Sequence, residues 1–214
     1  MNTRKHDTRW MVGVAMMAAI IIVLANTPLG LIPLPTTKAT TTHIPVIIGA
    51  VILGPLAGGI LGGVFGICSI ISNTITPALT SFAFSPFLST TGLAGAVKAV
   101  WVSVGCRIMI GVVAGWLWIL LKRLRVNDTL ALAITGFAGS MTNTVMVMSS
   151  IGLLFTQQYA QAKEVAMEAV SGLIMVTVTL NGIPEAFLAL VLVSAIGTAL
   201  LKWLPGSRTK AQAT

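Results

Sequence analysis

Six long apolar segments follow one another along the chain, separated by short polar stretches. They cover residues 10–27, 38–53, 56–74, 94–121, 128–150 and 166–203. Each is too continuously apolar for an amphipathic surface helix, and about 20 apolar helical residues cross a bilayer. The pattern therefore predicts an all-α integral membrane protein, folded as a compact bundle of six transmembrane helices. The second segment is the shortest and has Pro45 near its predicted outer end.

The composition supports a membrane protein and excludes a soluble one. The chain is 56% hydrophobic and only 8% charged, whereas a soluble domain has roughly 25% charged residues. Its 214 residues suffice for six spans and leave no room for a separate soluble domain. We therefore expect one membrane-embedded domain over 10–203, between cytoplasmic tails at 1–9 and 204–214.

The basic residues indicate how the bundle is oriented. The net charge is +8, but nine of the cations form three clusters at segment ends, which argues against a nucleic-acid partner. The clusters are Arg4, Lys5 and Arg9; Lys122, Arg123 and Arg125; and Lys202, Arg208 and Lys210. Positive residues favour the cytoplasmic side, and six spans place all three clusters there. The prediction is a multi-pass membrane protein with both termini inside the cell.

The outer connections are long, whereas Gly54-Pro55 makes a tight turn on the inner side. The outer loops are 28–42, 75–93 and 151–165, and the middle one is uncharged and contains three phenylalanines. Loops of this length are often lids. We expect them to fold down over an outward-facing pocket, with the gating residues Thr42, Phe82, Phe84 and Phe87.

Small residues repeat every four positions on three of the predicted helices. The repeats are Gly54, Gly58, Gly62 and Gly66; Gly111 and Gly115; and Ala15 and Ala19. Such stripes allow helix backbones to approach closely in lipid. The two glycine stripes predict packing inside the bundle. The alanine pair lies on the terminal helix, so it equally suits contact with another subunit.

Two formal charges lie in the middle of apolar segments. Arg107 is in the fourth and Glu185 in the sixth, where burial in hydrocarbon costs at least ~2.5–3.5 kcal/mol by insertion scales. The height of each polar residue above the inner end of its helix follows from a rise of ~1.5 Å per residue. Four of them fall in one layer, with Arg107 at ~22 Å, Glu185 at ~26 Å, Asn143 at ~22 Å and Asn73 at ~27 Å. Asn181 lies one turn from Glu185. The layer predicts one polar site in the outer half.

The residue types in this layer suit a small polar ligand. Arg107 can bind a carboxylate through two hydrogen bonds, with Glu185 orienting it, and the asparagines can contact hydroxyls and amides. His43 is a candidate contact at the rim. The alternative is an Arg107–Glu185 pair that only fixes helix register. Burying such a pair adds little stability, although losing one partner costs about 3–5 kcal/mol.

The sequence contains none of several catalytic and nucleotide-binding motifs. GxxxxGK[ST], HExxH and GxSxG do not occur, and no inverted repeat relates the two halves. We therefore expect a binding protein that is not an enzyme, has no cofactor or metal, and depends on an external energy source.

Several motifs resemble those of the substrate-binding S components of energy-coupling factor (ECF) vitamin transporters, and the pantothenate-specific subgroup most of all. The matching segments are 41–49 (TTHIPVIIG), 53–55 (LGP), 62–66 (GGVFG), 80–87 (TSFAFSPF), 139–144 (GSMTNT) and 181–186 (NGIPEA). The resemblance implies that Arg107 and Asn143 contact the ligand. It also implies that Ala15 and Ala19 form a docking motif on the first helix.

The resemblance further implies partners. They are a transmembrane coupling protein of the EcfT type and two cytoplasmic ATPases of the EcfA and EcfA' types, which hydrolyse ATP. The S component binds its vitamin outside, topples in the membrane and releases it inside. One departure concerns 56–58 (LAG), which lacks the basic residue expected after Gly54-Pro55.

Pantothenate has one carboxylate, one amide and two hydroxyls, which suits Arg107 and the asparagines. Niacin is also a carboxylate, and hydroxymethylpyrimidine and folate are further alternatives within the family. An intramembrane structural subunit without transport activity is the alternative outside it.

Overall fold

The computed structural model describes residues 8–27, 30–33, 38–89 and 92–203, and most of them are helical. The predicted tail 204–214 lies outside the described residues. Of the predicted tail 1–9, only Thr8 and Arg9 are described, and they begin the first helix. The all-helical class is confirmed.

The described residues form nine α-helices and one small antiparallel hairpin. The helices are α1 (Thr8–Ala25), α2 (His43–Leu53), α3 (Pro55–Ile75), α4 (Gly92–Val100), α5 (Cys106–Arg123), α6 (Asp128–Leu154), α7 (Thr156–Lys163), α8 (Val170–Thr177) and α9 (Ile183–Trp203). Strands β1 (Leu31–Pro33) and β2 (Lys38–Thr40) pair with Leu31 opposite Thr40. The hairpin lies in a region that the sequence predicted as loop and helix.

Five helical stretches are long and apolar enough to cross a membrane. They are Thr8–Ala25, Pro55–Ile75, Gly92–Arg123, Asp128–Leu154 and Met167–Trp203. They match five of the six predicted segments. In the remaining predicted segment, the second along the chain (38–53), only α2 is helical. Its 11 residues span about 16 Å, roughly half of a hydrocarbon core.

Two of these long helices contain a π-helical segment. Trp101–Gly105 joins α4 to α5, and Val178–Gly182 joins α8 to α9. The first segment ends two residues before Arg107, and the second ends three residues before Glu185. π-Segments in helices occur frequently at functional sites. Apolar periodicity does not report backbone hydrogen-bond spacing, so the sequence did not predict them.

The glycine stripe of α3 packs directly against the α5 backbone, as predicted. A Cβ added to Gly58 would lie 2.6 Å from the Gly111 carbonyl oxygen, and one added to Gly66 would lie 2.6 Å from that of Ser103. At Gly62 an added Cβ would overlap the Arg107 carbonyl oxygen. The stripe therefore sets the distance between α3 and the helix that carries Arg107.

The bundle has two different ends, named here by their connections. The turn end carries the Gly54 turn (φ +96°) and the 124–127 turn, while the loop end carries the hairpin, the 76–89 segment and α7. The 76–89 segment folds down onto the helices, as expected, and buries Ser81, Ala83 and Ser85. The 151–165 loop prediction was wrong, because most of that segment is helical in α6 and α7.

Candidate functional site

Arg107 lies between two aromatic rings beneath the loop end. Its Cζ is 5.4 Å from the ring centroid of Phe65 on α3 and 5.2 Å from that of Phe84 in the 76–89 segment. Only 7% of the residue is exposed. A guanidinium over aromatic faces gains about 0.5–2 kcal/mol, and most when it is desolvated. The two rings therefore hold a buried cation in a fixed orientation.

The guanidinium of Arg107 is only partly used by the protein. Nη1 donates a 2.7 Å hydrogen bond to the carbonyl of Val102 in the π-segment. The buried Nε has no hydrogen-bond partner among the described residues. Leaving a buried donor unpaired costs about 1–3 kcal/mol, and more for a charged group. A charged, unpaired donor of this kind suits an anionic acceptor such as a carboxylate.

Glu185 lies under the hairpin and next to α2. Its Oε1 accepts a 3.1 Å hydrogen bond from the Thr40 amide and lies 3.5 Å from Nδ1 of His43. The Thr40 side chain also hydrogen-bonds the carboxylate. Glu185 thereby joins α9 to the hairpin and to the start of α2.

Among the described residues, no direct ion pair joins Arg107 to Glu185. The expected orientation of Arg107 by Glu185 is therefore wrong, and so is the alternative of a register-fixing pair. Each charge has another neighbour: aromatic rings for Arg107, and Thr40 with His43 for Glu185. The two still interact through their electrostatic fields, so they form separate parts of one polar region.

His43 is fully buried, so its expected place at the rim is wrong. Neither ring nitrogen has a partner at good hydrogen-bond geometry within the described residues. Its Nδ1 faces the Glu185 carboxylate, and the backbone of Thr40 is close to the ring. Its polar atoms therefore belong to the interior of the site.

Asn143 lies opposite His43 across the interface between α2 and α6. An added Cβ on Gly139 would lie 2.7 Å from Ile47 of α2. These helices run in opposite directions, so one turn toward the loop end brings Asn143 beside His43. Asn143 is 9% exposed, and its Oδ1 has no partner among the described residues. The structure thus brings together these two predicted residues.

Asn181 is half-buried in the second π-segment. Next to it, an added Cβ on Gly182 would lie 2.8 Å from Thr144 of α6. Asn181 is therefore near the level of Asn143 on the neighbouring helix.

Asn73 does not lie in the predicted layer. Gly62 is the α3 residue that faces Arg107, and Asn73 is 11 residues beyond it, or about 16 Å toward the loop end. The estimate failed because it assumed inner helix ends at equal depth. Pro55 instead packs against Gly115, seven residues before Lys122. Asn73 donates to the Ser69 carbonyl (2.9 Å) and accepts from the Ser81 hydroxyl (2.7 Å), so it anchors the 76–89 segment.

The predicted gating residues have different surroundings. Phe84 covers Arg107, and its carbonyl accepts a hydrogen bond from Ser103. Phe82 packs edge-on against Phe155, at 5.9 Å between centroids. Thr42 is buried at the start of α2, whereas Phe87 is 80% exposed. Of the three phenylalanines, only Phe84 contacts the charged region directly.

The sequence did not single out three residues that contribute to this region: Thr40, Phe65 and Ser140. Thr40 bonds a residue 145 positions away, which no local pattern reveals. Phe65 lies within the glycine stripe. The glycines leave room around the ring, so a single aromatic residue among them could have been recognised as a candidate contact with the facing helix. Ser140 is a buried hydroxyl three residues from Asn143.

Ala15 and Ala19 are exposed on α1. Ile21 is the only fully buried residue described for this helix. The face that carries the two alanines is therefore available to a neighbour in the membrane.

Two comparisons with known proteins agree with each other. The family model described as "ECF transporter, substrate-specific component" matches residues 9–197. The chain is also similar to the pantothenic acid transporter PanT of Lactococcus lactis subsp. cremoris (strain MG1363). The two are 34% identical over 166 residues, which is 77% of this chain and 79% of that protein.

Proposed function

Because this chain belongs to the family of ECF transporter substrate-specific components, we propose that it captures pantothenate at the cell surface for an ATP-driven importer. Family membership makes it a membrane-embedded substrate-binding subunit and not an enzyme. It also makes it a multi-pass protein of the cell membrane. The similarity to a pantothenic acid transporter supports the choice of vitamin.

One observation carries the ligand assignment: the buried Arg107 guanidinium, held between Phe65 and Phe84 with Nε unpaired. A carboxylate supplies the missing acceptor and neutralises the charge. Hydrogen bonds to charged groups contribute roughly 1.5–3 kcal/mol net. A ligand without a carboxylate is then disfavoured by tenfold or more. Asn143 offers an acceptor to the amide or hydroxyls of the same molecule.

The entrance to this site is closed by two segments. The hairpin is attached to Glu185 through Thr40. The 76–89 segment is attached to α3 through Ser81 and Ser85, and to Ser103 of the first π-segment through the Phe84 carbonyl. Ligand entry requires at least one of them to move. We infer that they act as the gate over the pocket.

The experiment is ligand-induced thermal stabilisation of the detergent-purified chain, measured with a panel of water-soluble vitamins. Stabilisation by pantothenate but not by niacin, lost in Arg107→Gln, is the expected result. The charge-retaining Arg107→Lys should recover only part of it, because lysine lacks the planar fork. Stabilisation by niacin alone would replace the ligand and keep the carboxylate site. An unchanged pantothenate response in Arg107→Gln would contradict the assignment.

The chain also has a proposed topology, with six crossings and both termini in the cytoplasm. Several described basic residues lie at the turn end, among them Lys122, Arg123 and Lys202, and they support this orientation by the positive-inside rule. The short α2 and the hairpin then form the second crossing together. Thiol labelling of single cysteines placed at Arg123 and at Gln157 tests it, since only the latter should react from outside.

The proposed partners follow from the family. They are a coupling protein of the EcfT type and two ATPases of the EcfA and EcfA' types. In this scheme the partners hydrolyse ATP, and the chain itself binds no cofactor. The exposed Ala15 and Ala19 face of α1 is the proposed docking surface. The chain then topples in the membrane and releases the vitamin inside.

A further inference from the structure

Some buried polar side-chain atoms have no hydrogen-bond partner, and they differ in whether they can donate or accept a hydrogen bond. Within the described ranges they are His43 Nδ1 and Nε2, Arg107 Nε, Thr135 Oγ1, Ser140 Oγ, Asn143 Oδ1 and Thr198 Oγ1. Arg107 Nε on α5 can only donate, whereas Asn143 Oδ1 on α6 can only accept. The region thus has a donor side and an acceptor side.

His43 belongs to the acceptor side. A neutral imidazole carries its proton on one nitrogen and accepts on the other. Nδ1 faces the Glu185 carboxylate oxygen at 3.5 Å, which favours the tautomer with the proton on Nδ1. Nε2 is then left as an acceptor that is sealed from water and unpaired.

Ser140 lies on the face of α6 that meets α9 at the level of Glu185. Four residues to one side, an added Cβ on Gly136 would lie 2.9 Å from the Ala189 carbonyl oxygen. Four residues to the other side, Thr144 packs against Gly182. Glu185 lies midway between Gly182 and Ala189, so Ser140 is opposite Glu185.

The hydroxyl of Ser140 departs from the usual behaviour of hydroxyls in this bundle. Thr142 and Thr144 on the same helix donate to the carbonyl four residues earlier, and Ser194 on α9 does the same. That bond is the ordinary way to satisfy a helical hydroxyl in an apolar setting. Ser140 is fully buried and does not make it.

We propose that His43 Nε2 and Ser140 Oγ form a second subsite, which binds the hydroxyl groups of the uncharged part of the ligand. It rests on the proposed function, in which Arg107 holds the carboxylate. A ligand hydroxyl donates to Nε2, and Ser140 both donates and accepts. The subsite favours an acyl group that carries hydroxyls over one without them, while Arg107 on the other side of the pocket selects for the carboxylate.

The test compares the affinities of two compounds for the purified chain by isothermal titration calorimetry. One is pantothenate, and the other is N-(3,3-dimethylbutanoyl)-β-alanine, which has the same carbon skeleton without the hydroxyls. In the unmodified chain pantothenate should bind at least tenfold more tightly. Ser140→Ala should reduce this ratio by roughly threefold to tenfold, as expected for one neutral hydrogen bond, and leave the affinity for the deoxy compound unchanged.

Thr135→Val is the matched control, because Thr135 is another buried, unpaired hydroxyl on α6. It lies about 7.5 Å nearer the turn end than Ser140, and its variant should keep the ratio. His43→Gln, which retains an acceptor, should keep more of the preference than His43→Phe. Should His43→Phe fail to fold, Ser140→Ala still decides the question.

An unchanged ratio in Ser140→Ala would overturn the subsite and leave the carboxylate site intact. If the unmodified chain binds neither compound, the proposed ligand is wrong, and the subsite for it falls too.

Discussion

The backbone amide of Thr40 donates a 3.1 Å hydrogen bond to Oε1 of Glu185. This bond links the hairpin to α9, although the two residues are 145 positions apart in the chain. The carboxylate sits at the centre of a buried cluster with His43, so the position of the hairpin is coupled to the state of the polar interior.

Glu185→Gln should loosen the hairpin. The substitution keeps the size of the side chain but replaces a charge-assisted hydrogen bond with a neutral one, which is roughly half as strong. Both association and dissociation of pantothenate should then become faster, by about threefold to tenfold. Stopped-flow tryptophan fluorescence measures both rates. Glu168→Gln, at an exposed position beyond α7, is the control, and equal rates in the two variants would refute the idea of a latch.

Gly62→Ala should separate α3 from α5. The added methyl would overlap the Arg107 carbonyl oxygen, and overpacking of this kind costs about 1–3 kcal/mol or more. We expect a lower thermal unfolding midpoint and loss of ligand binding, because Arg107 must move. Thermal unfolding and binding should be measured on the same preparation.

Gly63→Ala is the matched control for this substitution. Its nearest heavy atom would be the Ile108 Cγ1 at 3.9 Å, and alanine is favoured over glycine in a helix by about 1 kcal/mol. It should be neutral or stabilising. Equal loss in both variants would show that α3 tolerates no added methyl group on either face, and that the contact with Arg107 is not the cause.

Phe84→Leu should weaken ligand binding without unfolding the chain. It removes one of the two rings over the guanidinium, an interaction of about 0.5–2 kcal/mol, which corresponds to a twofold to thirtyfold rise in Kd. Phe87→Leu changes an exposed ring in the same segment and should leave Kd unchanged. The Kd of each purified variant should be measured by titration with pantothenate. A Kd shift in Phe87→Leu alone would show that Phe87, and not Phe84, supports ligand binding.

Ala15→Leu and Ala19→Leu should abolish transport and leave binding intact. Both alanines are exposed on α1, so larger side chains there obstruct a neighbouring helix and not the interior. Uptake of labelled pantothenate in cells that express the whole transporter should be compared with binding by the isolated chain. Met16→Leu, at another exposed position of α1, is the control. Loss of binding in either alanine variant would rule out a docking role.

The sequence predicted the helices well, because a continuous apolar run in a membrane has few alternatives to a helix. It also located Arg107 and Glu185, since a charge within such a run stands out. It did not show which neighbours they take. Contacts such as that between Thr40 and Glu185 depend on how helices are arranged around the bundle, which no local pattern records.

Depth along the bundle was predictable only for helices that end at similar levels. Asn143 and Glu185 fall within about one turn of each other, as expected, because Gly136 and Gly182 fix the register between α6 and α9. Asn73 was misplaced because α3 begins opposite Gly115 and not at the level of Lys122. The hydropathy of the sequence does not show that two helices begin at different depths.

The backbone contacts along the Gly58–Gly62–Gly66 stripe leave no layer of side chains between α3 and α5. Side-chain layers are what allow packed helices to slide in small steps, by exchange of rotamers. Without one, α3 and α5 must shift as a single lever, and Phe65 and Arg107 travel with it. The proposed gate, formed by the hairpin and the 76–89 segment, then moves against a rigid support made of these two helices.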